Sequence, residues 1–388
     1  MVQDAEFGAA IEQAGLVGCV ALIGDQDSTR YQRAFGHRNR EDAAAMTSDT
    51  LFQIASMTKA ITTVAALQLV ERGQLSLDGA IGEVLPALAN PMILEGFDAA
   101  GAPLLRAATQ AMTLRHLLTH TSGMGYDFAN ADLLRFRAHG GDVDRAPGKR
   151  AGIEGPLLFE PGTRWEYGVS TDWVGLAVEA ASGVSLGTWM ATHIFAPLGM
   201  ADTGFRPNAE QSTRCASMYA RSEDNSLMPF PIDIGGGAAA EFESGGGGLW
   251  STAGDYLRFL QMILSNGASG STRILSAESV ALMRSNQVGP IRAGKMGSTM
   301  AALAHPYEAF PDQHCGWSLA FLVNPEQGPN GRAAQSLAWA GIANCYYWID
   351  PAQGQIGIFL AQLLPFADPG ARAAAEAFER MAYLSVDS

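Results

Sequence analysis

Lysine is nearly missing from this chain. Its 388 residues include three, Lys59, Lys149 and Lys295, so 22 of the 25 basic residues are arginine. Basic charge as a whole is also scarce: 39 acidic residues leave a net charge of −14. That balance argues against nucleic acid or an anionic membrane surface as partner, since either selects a basic face. There is no apolar run near the ~18 residues a membrane span needs. The N-terminal "MVQDAEFGAAIEQAG" has neither the basic start nor the apolar stretch of a secretory signal. Cysteine is sparse, with Cys19, Cys215, Cys315 and Cys345 scattered and without CxxC spacing, so buried free thiols are expected. These absences point to a cytoplasmic enzyme or binding protein. No repeat or low-complexity tract interrupts the chain.

What is present reads as an α/β (α+β) protein too long for one small core. Residues 4–14 have helical periodicity, with Phe7, Ile11 and Ala14 on one side. Two strand-like runs follow, 18–24 and 30–38, around the polar turn "DQDST". Near the other end, 316–323, 336–342, 345–350 and 355–364 read as four strands, and 368–384 as a closing helix. Between these ends the periodicity is helical at 57–72, 113–119, 171–182, 186–195 and 252–265. The pattern predicts one antiparallel sheet built from both termini and flanked by terminal helices, with a mainly helical region inserted. The expected division is an α/β domain of 1–75 and 240–388, a helical domain of 76–239, and an active site in the cleft between. Irregular stretches near 96–111, 137–160 and 220–245 are expected as surface loops that line the cleft.

One of the three lysines stands three residues after a serine, in "FQIASMTKAITTVAALQLVERG". On a helix that spacing is about 4.5 Å of rise and nearly a full turn, so Ser56 and Lys59 share a face. A serine hydroxyl is a poor nucleophile until something takes its proton. An amine can do so if burial lowers its pKa from about 10.4, whereas a guanidinium stays protonated. By itself the pair also fits a surface lysine beside an N-cap serine, so the surroundings have to decide.

Those surroundings, "SDTLFQIASMTKAITTVAALQLVERGQLSLD", resemble the serine β-lactamase-like superfamily. It includes class C β-lactamases, penicillin-binding DD-peptidases and family VIII carboxylesterases, and it carries Ser-x-x-Lys at the start of a buried helix. The stretches "LLTHTSGMG" (117–125) and "FEPGTRWEYGVSTDWVGLAVEAASG" (159–183) resemble it too. The resemblance implies a β-lactamase/transpeptidase-like fold, Ser56 as nucleophile, Lys59 as its partner and Tyr167 as the catalytic tyrosine. Where lactamases read Tyr-x-Asn this chain has Tyr167-Gly168-Val169, and Asp172 follows as in many family VIII esterases. Where they read Lys-Thr-Gly it has Trp339-Ala340-Gly341, close to the Trp-Gly-Gly of those esterases. An apolar wall then replaces the cation that meets a penicillin carboxylate. The resemblance also implies an oxyanion hole from the backbone N–H groups of Ser56 and Ile342, and a substrate pocket touching Trp339, Ala340, Gly341, Val169 and Asp172.

The expected activity is therefore hydrolysis of a small-molecule carboxylic ester of short to medium acyl chain through an acyl-enzyme, with at most weak β-lactam hydrolysis and no cofactor or metal. A class C-like β-lactamase and an amidase or acyltransferase stay open, as does a penicillin-recognising pseudo-enzyme. Oligomeric state is not legible. The nucleophile elbow of an α/β-hydrolase is absent, because "GVSTD" (168–172) fails at its last position. His116 and His120 stand four apart, but without HExxH they are expected to be structural, His120 hydrogen-bonded in its loop. The glycine run at 244–248 has no Gly-Lys-Ser/Thr and is expected to shape the site floor, with "STAGD" as a helix N-cap.

Overall fold

The structure is a computed structural model that describes residues 2–384. In chain order the elements that position the site are as follows. Helix α1 (Val2–Ala14) leads into strands β1 (Gly18–Gly24), β2 (Thr29–Asn39) and β3 (Ala44–Ala45). Helix α2 (Thr58–Glu71), α3 (Ser170–Ser182) and α4 (Ala253–Leu264) occupy the middle of the chain. Strands β4 (Gly316–Trp317), β5 (Leu322–Val323), β6 (Leu337–Gly341), β7 (Cys345–Asp350) and β8 (Gln355–Leu360) precede helix α5 (Pro369–Leu384).

The eight strands form one sheet in the order β4-β5-β6-β7-β8-β1-β2-β3, antiparallel throughout. The seam between the two ends of the chain is β1 against β8, with Val20 opposite Leu360 and Leu22 opposite Ile358. Strand β1 can occupy this central place because "GCVALIG" is apolar on both faces and buried throughout. Alternate residues serve different layers. Cys19, Ala21 and Ile23 meet α1 and α5 through Phe7, Ile11 and Phe378, while Val20 and Leu22 join the main core. Helix α4 covers that second face and α2 packs along α3. The antiparallel sheet assembled from both termini, with its flanking helices, is the fold the sequence predicted.

Several local expectations change. Residues 316–323 are two short strands instead of one: Gly316 pairs with Val323 and Trp317 with Leu322. Ser318 turns the chain, its Oγ accepting from the N–H groups of Ala320 and Phe321. Residues 355–364 end as a sheet strand at Leu360, and Leu363–Leu364 pairs in parallel with Tyr219–Ala220. The stretch 96–111 is largely a hairpin, Met92–Phe97 against Pro103–Ala107. Within 137–160 a helix, Ala131–His139, runs in from the N-terminal side and a short turn of helix covers Arg150–Ile153. The helix Ala277–Arg284 was not foreseen. All four cysteines are free, with Cys215 half-buried and the others buried. Among the described residues, no helix is long and apolar enough to cross a membrane.

Candidate active site

Between Thr50 and Leu69 every residue is buried except Ser56. The chain reaches it through a two-residue pairing, Phe52–Gln53 with Trp250–Ser251, and the Ile54 N–H donates to the Leu249 carbonyl. Ala55 then adopts φ +46°, a left-handed conformation costly for a residue with a Cβ, and a 3-10 turn over Ala55–Met57 leads into α2. The kink turns Ser56 out of the core towards a cavity of about 350 Å³. On the far side the backbone of β6 closes in. A Cβ on Gly341 would lie 2.6 Å from the Ile54 carbonyl oxygen and 3.3 Å from the Ala55 Cβ, so only glycine permits this approach. Ile342 follows the last ladder pair of β6, Gly341 with Cys345, and lines the same cavity as Ser56.

Lys59 lies beneath the serine and is 3% exposed. Its Nζ donates to Ser56 Oγ at 3.2 Å, Tyr126 Oη at 3.1 Å and the Gly246 carbonyl at 2.7 Å. Three acceptors match the three protons of an ammonium. The expectation of a lowered pKa is reversed here. Burial does press Lys59 down, but Tyr126, Tyr167 and Asp172 hold its charge, and the balance lies above the usual lysine value. Burial in turn raises the Tyr126 phenol, against the pull of Lys59.

Tyr167 sits just ahead of α3, its ring centroid 4.8 Å from Lys59 Nζ. Its Oη accepts from the indole Nε1 of Trp339 at 2.9 Å. Trp339 therefore forms an apolar wall, as expected, and also spends its one polar group on the phenol. Ala340, Gly341, Val169 and Asp172 line the cavity as well. Asp172 is buried, with Oδ1 accepting from Ser244 Oγ at 2.6 Å and from the Gly246 N–H at 3.0 Å. Burial raises its pKa, against the pull of Lys59. The glycine run supplies this floor: a Cβ on Gly246 would come within 2.5 Å of Asp172 Oδ2. Thr252 caps α4 through the Asp255 N–H, as "STAGD" predicted. Of the long irregular stretches, 137–160 and 220–245 supply cavity walls, including Ile153, Ile232, Ile234 and Phe242.

The structure gathers every site residue read from the sequence around one cavity, with Lys59 just below it, and adds Tyr126, which the sequence reading missed. Its only signal was an aromatic directly after the tight "HTSGMG" turn. It reaches the amine because Gly168 carries no side chain: a Cβ there would lie 2.4 Å from the Met124 carbonyl oxygen. His120 is also corrected. It is buried at φ +55°, and its Nδ1 has no hydrogen-bond partner. Its ring packs against Tyr167 and Trp317, with centroids 4.8 and 5.2 Å away, and burial lowers its pKa. His116 Nδ1 instead accepts from the Thr113 N–H, closing a helix cap. Among the described residues no three His, Cys, Asp or Glu side chains are grouped to hold a metal.

The Beta-lactamase family model matches residues 4–381. Monacolin J acid methylbutanoyltransferase of Aspergillus terreus is 31% identical over 398 residues, covering 99% of this chain and 95% of its own. Lovastatin esterase of Penicillium rubens is 32% identical over 371 residues, 92% of this chain and 91% of its own. Esterase EstB of Burkholderia gladioli is 32% identical over 376 residues, 90% and 87% of the two chains. Among solved structures, the LovD6 mutant of simvastatin synthase from Aspergillus terreus superposes with a TM-score of 0.85 at 30% identity, over 100% of this chain and 97% of that one. EstCE1, described as a hydrolase with promiscuous acyltransferase activity, gives 0.73 at 21% identity over 99% and 100%, a likeness of fold alone.

Proposed function

The chain belongs to the Beta-lactamase family and is an enzyme of the serine hydrolase and acyltransferase type, and from that premise we propose that it cleaves small carboxylic esters through an acyl-enzyme on Ser56, as a family VIII-type carboxylesterase. The observation that carries this reading is the contact of Ser56 Oγ with the buried Lys59 Nζ at 3.2 Å, on the one unburied residue of its segment. Trp339 supports a neutral ester over a penicillin, because it offers an indole face where recognition of a β-lactam carboxylate would call for a cation.

In this mechanism Ser56 Oγ attacks the ester carbonyl and its proton passes to the phenolate oxygen of Tyr167. Lys59 Nζ lies 4.8 Å from the centre of that ring, and the indole N–H of Trp339 donates to the same oxygen. The carbonyl oxygen, now an oxyanion, takes hydrogen bonds from the N–H groups of Ser56 and Ile342, each such donor being worth about 3 kcal/mol. Tyr167 returns the proton to the leaving alcohol as the carbon–oxygen bond breaks. Water then attacks the acyl-enzyme by the reverse route. Tyr126 shares the Lys59 ammonium and keeps it aimed at Ser56. No step calls on a cofactor.

Acyl transfer to an alcohol is the second reading, favoured by the methylbutanoyltransferase that is similar over 99% of this chain. Steady-state assays with p-nitrophenyl acetate, p-nitrophenyl octanoate and nitrocefin test the proposal. The expected outcome is ester turnover well above nitrocefin turnover and lost in Ser56→Ala, with a fluorophosphonate adduct on the Ser56 peptide. Nitrocefin turnover equal to or above that of the esters would move the assignment to a β-lactamase. Addition of a primary alcohol, with product analysis, separates transfer from hydrolysis.

A further inference from the structure

We infer that Asp172 is a positioning residue of the reaction: it is the counter-charge that keeps Lys59 an ammonium, so that the amine holds the nucleophile and a phenol, not the amine, takes its proton. The inference deepens the proposed acyl-enzyme mechanism and rests on it for its catalytic meaning. It starts from charge balance. A buried ammonium without a nearby anion is strongly disfavoured, and all three donors of Lys59 are taken by neutral oxygens, on Ser56, Tyr126 and Gly246. Two carboxylates line the cavity. Asp127 is tied to Arg137, its Oδ2 3.0 Å from Nε. Asp172 makes no ion pair within 4 Å among the described residues, and its Oδ1 takes Ser244 Oγ and the Gly246 N–H. A third carboxyl near the site, Glu166, accepts from Asn130 Nδ2 at 3.2 Å and does not line the cavity.

Asp172 and Lys59 are joined through one residue. Gly246 gives its N–H to the carboxylate and its carbonyl to the amine, at 3.0 and 2.7 Å. The carboxylate fits against Gly246 only because no side chain stands there. This arrangement delivers negative charge to the amine without a direct contact that would compete with Ser56 for its protons. The other titratable groups facing the amine are Tyr126 and Tyr167, with His120 behind Tyr167. His120 is pushed towards its neutral form by burial and by Lys59 itself, so it adds no charge of its own. While Tyr126 and Tyr167 hold their protons, Asp172 is the anion left to balance Lys59, and it stays beside the amine when Tyr167 is the phenolate of the proposed mechanism.

The scarcity of lysine makes this testable in the intact protein. With [ε-13C]lysine the chain gives three signals, from Lys59, Lys149 and Lys295, assigned with Lys149→Arg and Lys295→Arg. The expected result is a Lys59 signal that stays in the ammonium position from pH 6 through pH 10, a readout that needs no turnover. Asp172→Asn keeps an acceptor at Oδ1 and removes the charge. Losing a neighbouring negative charge makes every nearby proton easier to lose, so the Lys59 titration should move down by about 1 pH unit or more. Both limbs of the kcat/KM profile for p-nitrophenyl acetate should move down with it. A residue that only held the loop would lower the height of that profile without displacing it. A neutral Lys59 amine in the parent protein at pH 8 overturns the inference, whether or not the variant folds. So does an Asp172→Asn protein whose Lys59 titration and profile stay in place. Failure of ester hydrolysis itself, with Lys59 still an ammonium, would count against the proposed function and leave the charge assignment standing.

Discussion

Trp339 shows how much of this site depends on single atoms. Its ring stands 4.7 Å from Trp317 and 4.8 Å from Tyr167, centroid to centroid, and its one N–H is given to the Tyr167 oxygen. Trp339→Phe keeps most of the wall and deletes that donor. A buried hydrogen bond to a charged acceptor is worth about 1.5 kcal/mol, and the variant takes it from the phenolate that receives the Ser56 proton, so kcat/KM for p-nitrophenyl acetate should fall roughly tenfold. Stopped-flow acylation rates would locate the loss in the proton-transfer step, and an unchanged kcat/KM would remove the indole from the mechanism. The contact between Ser56 and Lys59 was legible in the sequence because it is local. Ser56 and Lys59 are one helical turn apart, and no tertiary information is needed to bring them together. Tyr126 was not legible, because its place depends on the missing side chain of Gly168 in a distant segment. The charge of Lys59 was also out of reach, because burial and partners act in opposite directions and only coordinates show which prevails.

At the scale of elements, the approach of β6 to the Ala55–Met57 turn is what brings Ile342, the proposed second oxyanion donor, to the cavity that Ser56 lines. The atom facing Gly341 is a main-chain oxygen, which cannot swing aside as a flexible side chain would. Gly341→Ala should therefore push β6 and Ile342 away from Ser56. With one oxyanion donor displaced, kcat should drop about 100-fold or more in steady-state ester hydrolysis, while circular dichroism shows a folded protein. Retention of the parent kcat would mean the Ile342 N–H is not a donor. Elements with a clean period were legible: α2, α3 and α4 lie within a residue or two of their expected ranges, and β7 matches at both ends. Most of the hairpin at 92–107 falls in the stretch 96–111 that was read as irregular, because exposed, mixed-character strands such as "PLLRA" carry no clear alternation. Residues 316–323 were read as one strand because the apolar run is unbroken; the bend depends on Ser318 bonding its own neighbours, which composition does not reveal.

Across the whole molecule, the sheet separates the chemistry from its support. One face carries the cavity and the main core; the other carries α1 and α5, held by an aromatic cluster centred on Phe378. That ring is fully buried, 5.3 Å from Phe7 and 5.5 Å from Trp348. Phe378→Ala should cost about 3–5 kcal/mol in chemical denaturation, as a large cavity in a packed core does. The same variant assayed at 25 °C should keep the parent kcat per folded molecule, and a large loss of kcat would show that the two faces are coupled. The overall plan was readable because strands and helices are segregated along the chain and the apolar run of β1 demands a neighbour on each side. The pairing of β1 with β8 also bears on biogenesis. Val20 leaves the ribosome early and must wait for Leu360, and the Ser56 turn must wait for Gly341. An interrupted translation product therefore has its serine but no completed crevice around it, so premature termination leaves a chemically silent polypeptide, not a stray acylating agent.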